Sequence, residues 1–126
     1  MKIMVVDDEP EILKLIRIAF GIHKYDVVEA ESGEVCLAIL EKDKDIDLIL
    51  LDILMPGISG YDVCRKIKAD TRFKKIPVVM FSALVHATSI KEGYDCGADE
   101  FITKPFDPYL LKERVDGIMG EFKEKI

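Results

Sequence analysis

The sequence predicts a single-domain α/β protein, a doubly wound (βα)5 sandwich in which helices cover both faces of one five-stranded parallel sheet. Short apolar segments alternate five times with longer amphipathic segments along the 126 residues. Several apolar segments are continuous, which is typical of strands buried on both faces. No linker or low-complexity tract interrupts the pattern, and the length suits one domain over residues 1–126.

Five segments have the composition of short buried strands. They are residues 2–6, 26–30, 47–51, 76–82 and 100–104. In the third, the apolar run LILL leads directly into Asp52. Pro77 lies near the start of the fourth, where the missing N–H of a proline is tolerated. A buried strand that ends on a carboxylate needs an explanation beyond folding, because a buried charge is costly.

Amphipathic segments between and after the strands predict five helices. Their predicted starts are Pro10, Ser32, Ser59, Thr88 and Pro108. Pro10 suits a first helical turn because its missing N–H has no helical partner there, and Ser32 can cap a helix with its hydroxyl. The segment 88–96 predicts the weakest helix, since it contains Gly93 and few apolar residues. The last helix is predicted to bury Leu111, Val115, Ile118 and Phe122.

The composition excludes several classes of function. Acidic residues outnumber basic ones by 24 to 18, for a formal charge of -6, whereas a nucleic-acid-binding protein usually carries a basic patch. The apolar runs are too short for a signal peptide or a membrane span. The three cysteines are widely spaced and form no C-x-x-C pair, so neither a zinc site nor a disulfide framework is indicated. We expect a cytoplasmic protein with no membrane insertion and no direct contact with nucleic acid.

Polar residues end or directly follow four of the predicted strands. They are Asp7, Asp8 and Glu9, then Asp52, Ser82 and Lys104. Ligands of doubly wound folds bind beyond the carboxyl ends of the strands, so these side chains are expected to converge. Each has an ordinary explanation when taken alone: Asp8 as a helix N-cap, Ser82 as a turn residue and Lys104 as a solvated charge.

Taken together, the polar residues predict a metal-assisted site. Three carboxylates at one edge repel each other unless a cation intervenes, and oxygen ligands with room for water suit Mg²⁺, or Mn²⁺, rather than zinc. Lys104 would face the anion that the metal binds. This arrangement is typical of phosphoryl transfer, with Asp52 as the nucleophile and the cations neutralising the phosphoryl oxygens.

Four segments then identify a family. VVDDEP, LLDILMPGISGYD, VVMFSA and EFITKPF resemble the signature segments of the receiver domain of two-component response regulators, and the resemblance covers the whole chain. It implies the flavodoxin-like strand order 2-1-3-4-5. A stand-alone receiver, similar to chemotaxis regulators, is favoured because Met1 suits a natural start. The alternative is a receiver fragment of a longer regulator or hybrid kinase.

The resemblance implies a role for each residue of the predicted site. Asp52 accepts a phosphoryl group from a histidine kinase, and Lys104 pairs with the phosphoryl oxygens. The implied Mg²⁺ ligands are Asp7, mostly through water, Asp8, Asp52 and the backbone carbonyl of Leu54. The implied switch residues are Ser82 and Phe101, where a threonine and a tyrosine are also common in the family. A cis Lys104–Pro105 bond and a loop shaped by Pro56 and Gly60 are also implied.

The resemblance further implies how such a protein is used. It would be a phosphoacceptor that catalyses its own phosphorylation and dephosphorylation rather than an enzyme with a separate substrate. Its expected partners are a histidine kinase or phosphotransfer protein and a downstream protein that binds the face of the fourth helix, fifth strand and fifth helix, and it would be a monomer or a phosphorylation-dependent dimer. Leu54 and Leu84 flank the expected path of the hydrolytic water and predict slow loss of phosphate.

Two other classes share parts of this pattern. A flavodoxin-type protein that binds FMN has the same architecture, but its phosphate loop after the first strand is rich in Ser, Thr and Gly. A phosphohydrolase with an aspartyl nucleophile places that residue after the first strand, with a second aspartate two positions later. Here Asp7 and Asp8 are adjacent, and the favoured nucleophile follows the third strand.

Overall fold

The computed structural model of the chain describes residues 1–22, 25–83 and 87–124, without the side chains of Ala87 and of residues 121–124. Leu84 and the Phe122 side chain therefore lie outside the described part of the chain. The strands are β1 Lys2–Val6, β2 Asp26–Ala30, β3 Leu48–Asp52, β4 Val78–Ser82 and β5 Glu100–Thr103. The helices are α1 Pro10–Gly21, α2 Gly33–Lys42, α3 Gly60–Ala69, α4 Ala87–Asp95 and α5 Pro108–Glu124.

All four strand pairs are parallel, and the sheet order is β2-β1-β3-β4-β5. This confirms the predicted fold and strand order. The sequence order of the strands reverses direction at β1, so β1 and β3 are neighbours at the centre of the sheet. Among the described residues, no helix is long and apolar enough to cross a membrane.

The two faces of the sheet bury alternate residues of the same strands. In β1, Ile3 and Val5 pack with α1 and α5, whereas Met4 and Val6 pack in the cluster that contains α2 and α3 residues. Period-two alternation puts successive side chains on opposite faces, and here both faces are apolar. Each fully buried aliphatic side chain contributes about 2 kcal/mol, so the central strands form a rigid base for the residues that follow them.

Side-chain caps start several helices where the sequence predicts them. The Ser32 hydroxyl accepts a hydrogen bond from the Val35 N–H at 3.1 Å, and a carboxylate oxygen of Asp107 accepts one from the Tyr109 N–H at 2.8 Å. The N-cap of α1 is Glu9, without a side-chain cap bond. Asp8 is therefore not a helix cap, which removes its ordinary structural explanation.

Some strand boundaries differ from the sequence-based prediction. β3 extends one residue further, because Asp52 pairs with Phe81 in the ladder. β4 begins at Val78 rather than residue 76, although the carbonyl of Pro77 still accepts the Ile49 N–H at 3.0 Å. β5 ends one residue early, so Lys104 lies in the loop that follows it. The predicted inner face of α5 is buried at Leu111, Val115 and Ile118.

Candidate functional site

The three aspartates that the sequence places after β1 and within β3 do converge. One carboxylate oxygen from each of Asp7, Asp8 and Asp52 lies within 4.8 Å of the other two. The register explains this, because Val6 pairs with Leu51 and the residues that follow the pair must emerge side by side. Asp7 and Asp52 are buried, with Asp52 only 4 % exposed, whereas Asp8 is exposed.

Lys104, in the loop after β5, brings a positive charge into this cluster. Its Nζ lies 2.7 Å from Asp7, 3.5 Å from Asp52 and 3.6 Å from Glu9, measured to one carboxylate oxygen of each. The Lys104 N–H donates to the Ser82 carbonyl oxygen at 2.8 Å, which anchors the residue beside the end of β4. The Lys104–Pro105 bond is cis, as the resemblance to receiver domains implies. The ammonium therefore contacts Asp7 more closely than Asp52.

Burial opposes ionisation in this cluster. Desolvation, followed by repulsion from the Asp7 charge, raises the pKa of Asp52 from 3.8 to about 6. Desolvation also raises the pKa of Asp7, although the hydrogen bond from Lys104 acts in the opposite direction. Burial alone would lower the pKa of Lys104, but the Asp7 hydrogen bond and the nearby carboxylate charges outweigh it, and that pKa is raised.

The donor set of the cluster fits a hard divalent cation. Three ionised carboxylates and one ammonium leave an excess of two formal negative charges. Carboxylate oxygens are the ligands that Mg²⁺ and Mn²⁺ prefer, and Asp8 is open to solvent on one side. Asp7, Asp8 and Asp52 could therefore hold such an ion and be relieved of their mutual repulsion by it.

The loop after β3 is fixed by close backbone contacts. A Cβ at Gly60 would lie 2.2 Å from the Asp52 carbonyl oxygen, so only glycine fits there, and the Gly60 N–H donates to the Ile53 carbonyl oxygen at 3.0 Å. The first residue of α3 is thus held against the end of β3. Leu54 lies between these points with a side chain that is 60 % exposed.

Glu34, at the start of α2, is a residue that sequence reasoning missed. Its carboxylate accepts the Ile58 N–H at 2.9 Å, and a Cβ at Gly57 would lie 2.7 Å from the same carboxylate oxygen. Gly57 has a φ of +83°, which favours glycine. Glu34 thereby braces the loop that carries Leu54, but nothing in its sequence spacing from residue 58 could have indicated the contact.

The two predicted switch residues lie on neighbouring strands. Ser82 ends β4, one residue after the partner of Asp52, and is buried. Phe101 on β5 is partly buried and packs against the core. A Cβ at Gly93 of α4 would lie 3.1 Å from the Phe101 ring. Gly93, which weakens α4 in the sequence, therefore allows the helix and this ring to approach each other.

Comparison with known proteins agrees with the geometry. A family model described as the response regulator receiver domain matches residues 3–116. The phosphate regulon transcriptional regulatory protein PhoB of Pseudomonas aeruginosa is 37% identical over 93% of this chain, and the match covers 51% of PhoB. The response regulator PleD of Caulobacter vibrioides is 40% identical over 90% of this chain and 25% of PleD. The chain thus spans about half or less of the length of these relatives.

A solved structure gives the same result. The response regulator protein TrrA of Thermotoga maritima, in complex with Mg²⁺-BeF, superimposes with a TM-score of 0.80 at 35% identity and covers 92% of this chain and 96% of that one. The match is to the receiver family rather than to flavodoxin-type proteins or phosphohydrolases, so both of these alternatives are set aside. The chain belongs to the receiver domain family of two-component response regulators.

Proposed function

We propose that Asp52 is the residue of this receiver that accepts a phosphoryl group, from the phosphohistidine of a histidine kinase or phosphotransfer protein. The observation that carries the proposal is the cluster of Asp7, Asp8 and Asp52 carboxylates with Lys104 at 3.5 Å from Asp52. Asp52 is the member at the end of the central strand β3, and the cation-binding chemistry lies around it. Glu9 is exposed and does not belong to the cluster of three carboxylates.

In the proposed reaction, a carboxylate oxygen of Asp52 attacks the phosphorus while the bond between phosphorus and the imidazole nitrogen breaks. Lys104, already oriented by Asp7, pairs with oxygens of the transferred group. Mg²⁺, or Mn²⁺, bound by Asp7, Asp8, Asp52 and the Leu54 carbonyl would supply charge neutralisation. The phosphoryl group is accepted by a residue of the protein itself and is later lost from that residue. The receiver family therefore acts as a phosphoacceptor.

The output surface in this proposal is formed by α4, β5 and α5. Ser82 moves toward the phosphoryl group, and Phe101 turns further inward beside Gly93. The surface includes three exposed large side chains, Tyr94, Tyr109 and Leu110, which suit contact with a protein partner or a second copy. On binding of beryllofluoride, changes in amide exchange should concentrate in residues 82–106; changes confined to residues 12–40 would refute this surface.

The biological context is a separate part of the proposal. We favour a stand-alone cytoplasmic regulator that acts by protein contact, as a monomer or as a phosphorylation-dependent dimer. The three cysteines are free thiols, which suits a reducing compartment. A receiver of a longer regulator or hybrid kinase is the alternative, because PhoB and PleD are longer than the matched region. The length of the intact natural polypeptide distinguishes the two.

The phosphoacceptor is tested by intact mass. The protein is incubated with acetyl phosphate and Mg²⁺, with EDTA in a parallel sample. The parent should gain one phosphoryl group only with the metal, and Asp52→Asn should gain none. Asp45→Asn, which removes an exposed carboxylate elsewhere, is the matched control and should behave as the parent does. Equal mass gain by Asp52→Asn and the parent would show that the acceptor is another residue.

A further inference from the structure

One face of α3 is joined to α4 and to the turn after it by polar contacts. The Tyr61 hydroxyl donates to the Ser89 carbonyl oxygen at 3.0 Å, and Arg65 forms an ion pair with Glu92 at 3.2 Å. One turn further along α3, Lys68 forms an ion pair with Asp99 at 2.8 Å. Residues three and four apart share a helix face, so these contacts hold the two elements along their length.

Cys64 lies on the same face of α3 and contacts Cys96, the residue after α4. The Cys64 thiol donates to the Cys96 carbonyl oxygen at 3.5 Å, so the Cys64 side chain lies directly against Cys96. The Cys96 sulfur lies 2.9 Å from the Gly93 carbonyl oxygen. Cys64 is fully buried, whereas Cys96 is 5 % exposed. The polar contacts on both sides keep this pair together.

The two thiols differ in acidity. The Cys64 side chain, which can donate a hydrogen bond to a Cys96 thiolate, lowers the pKa of Cys96, and a hydrogen bond from the Ala98 N–H acts in the same direction against the effect of burial. The same interaction with Cys96, together with burial, raises the pKa of Cys64. Burial raises the pKa of the third thiol, Cys36, to about 12. Thiolates are the reactive form, so Cys96 is the thiol suited to react first.

We propose that Cys64 and Cys96 are a redox-active pair that hydrogen peroxide converts to a disulfide between α3 and the end of α4. The Cys96 sulfur attacks one peroxide oxygen, the O–O bond breaks and the departing hydroxide becomes water, leaving a sulfenic acid. The Cys64 sulfur then attacks the Cys96 sulfur, the S–O bond breaks and the second water leaves. Two thiols are oxidised and one peroxide is reduced to two waters.

The cross-link would act on the element that the output surface depends on. Cys96 follows α4 directly, and Gly93, three residues earlier, lies against Phe101. A bond to Cys64 would fix the end of α4 to α3, which is itself held to the end of β3 through Gly60. The proposal does not require phosphorylation of Asp52, because the chemistry involves only the two sulfurs and the oxidant.

The test counts thiols in the full chain. The reduced protein is treated with hydrogen peroxide, unfolded, alkylated and analysed by intact mass and peptide mapping. Free thiols should fall from three to one, with a Cys64–Cys96 cross-linked peptide, and dithiothreitol should restore all three. Cys36→Ser is the matched control and should form the same cross-link. In Cys64→Ser, dimedone should trap a sulfenic acid at Cys96.

Several results would overturn the proposal. They are a cross-link that includes Cys36, a cross-link between two chains, or three free thiols after peroxide treatment. A dimedone adduct at Cys36 in place of Cys96 would also contradict it. The number of free thiols is measured on the parent protein, which carries no substitution. The test therefore remains decisive even if a cysteine variant folds poorly.

Discussion

Acidic residues at the two ends of the parallel strands, the amino-terminal edge and the carboxyl edge of the sheet, have pKa values shifted in opposite directions. At the amino-terminal edge, acids meet cations in the open: Arg72 forms ion pairs with Glu41 and Asp70, and its hydrogen bonds lower the pKa of Asp70 to about 2. At the carboxyl edge, burial raises the pKa of Asp52 to about 6. Near Arg72, the ionised carboxylates are stabilised both by the guanidinium and by solvent. In the candidate site, the negative charge of three carboxylates exceeds the positive charge of Lys104.

The largest expected effect is stabilisation by a metal at the unbalanced edge. Mg²⁺ at one hundred times its dissociation constant should raise the free energy of unfolding by about 2.7 kcal/mol, because it binds the folded cluster and relieves repulsion there. Urea unfolding in Mg²⁺ and in EDTA measures the difference. Asp8→Asn should reduce the shift and the exposed control Asp45→Asn should keep it. An unchanged urea midpoint in the parent would rule out the metal site.

The next effect is a pH dependence of opposite sign at the two edges. In metal-free protein, folded Asp52 holds its proton up to about pH 6, whereas an unfolded aspartate releases it near pH 4. The free energy of unfolding should therefore fall as the pH rises from about 4 to about 6. Asp52→Asn should remove this loss of stability and stabilise the metal-free protein at pH 7 by about 3 kcal/mol, because Lys104 keeps Asp7 as its partner.

Asp70→Asn supplies the comparison at the other edge. The pKa of Asp70 is lowered, so the stability that it contributes is present above about pH 4 and is lost as the pH falls toward 2. Its amide variant should be less stable than the parent at neutral pH. Chemical unfolding of both variants at several pH values tests the contrast; two variants that shift in the same direction at pH 7 would contradict it.

A smaller effect concerns the lifetime of the phosphorylated state. Leu54 is 60 % exposed beside Asp52 and cannot hold a water by hydrogen bonding, so Leu54→Asn should speed phosphate loss by about tenfold, or about 1.4 kcal/mol in barrier. Leu110→Asn on α5, with the same 60 % exposure, is the matched control and should leave the rate unchanged. Decay of the phosphorylated mass over time measures both. Equal decay in the Leu54→Asn variant and the parent would refute the role of Leu54.

The smallest effect lies far from the candidate site, in the last turns of α5. A Cβ at Gly117 or Gly120 would meet nothing within 4 Å, so neither glycine is required by packing. Replacing either with alanine should stabilise the protein by about 0.5 to 1 kcal/mol, because alanine is the better helix former. Thermal unfolding in EDTA measures it, with Gly60→Ala as the contrasting variant, which should be destabilised. Destabilisation by Gly117→Ala would show an unrecognised contact.

Sequence patterns predicted the fold because apolar periodicity and caps act over short distances. They also predicted that Asp7, Asp8 and Asp52 would meet, since parallel strands must end at one edge. They did not predict that Lys104 would contact Asp7 most closely, because that depends on where β5 ends relative to β4. The contact of Glu34 with the loop after β3 and the Cys64–Cys96 contact were not predicted for a similar reason. Each joins two elements that are distant in sequence, and local sequence patterns do not specify how such elements pack.

The fit of Gly60 against Asp52 has a consequence for measuring motion in this protein. The Gly60 N–H donates to the Ile53 carbonyl oxygen at 3.0 Å, so main chain rather than a side chain joins the start of α3 to the end of β3. A spin label on an exposed position of α3, such as Lys66, would therefore serve as a fixed origin. Distances from it to a label on α4 would then report the displacement of α4 alone, without a contribution from the strand that carries Asp52.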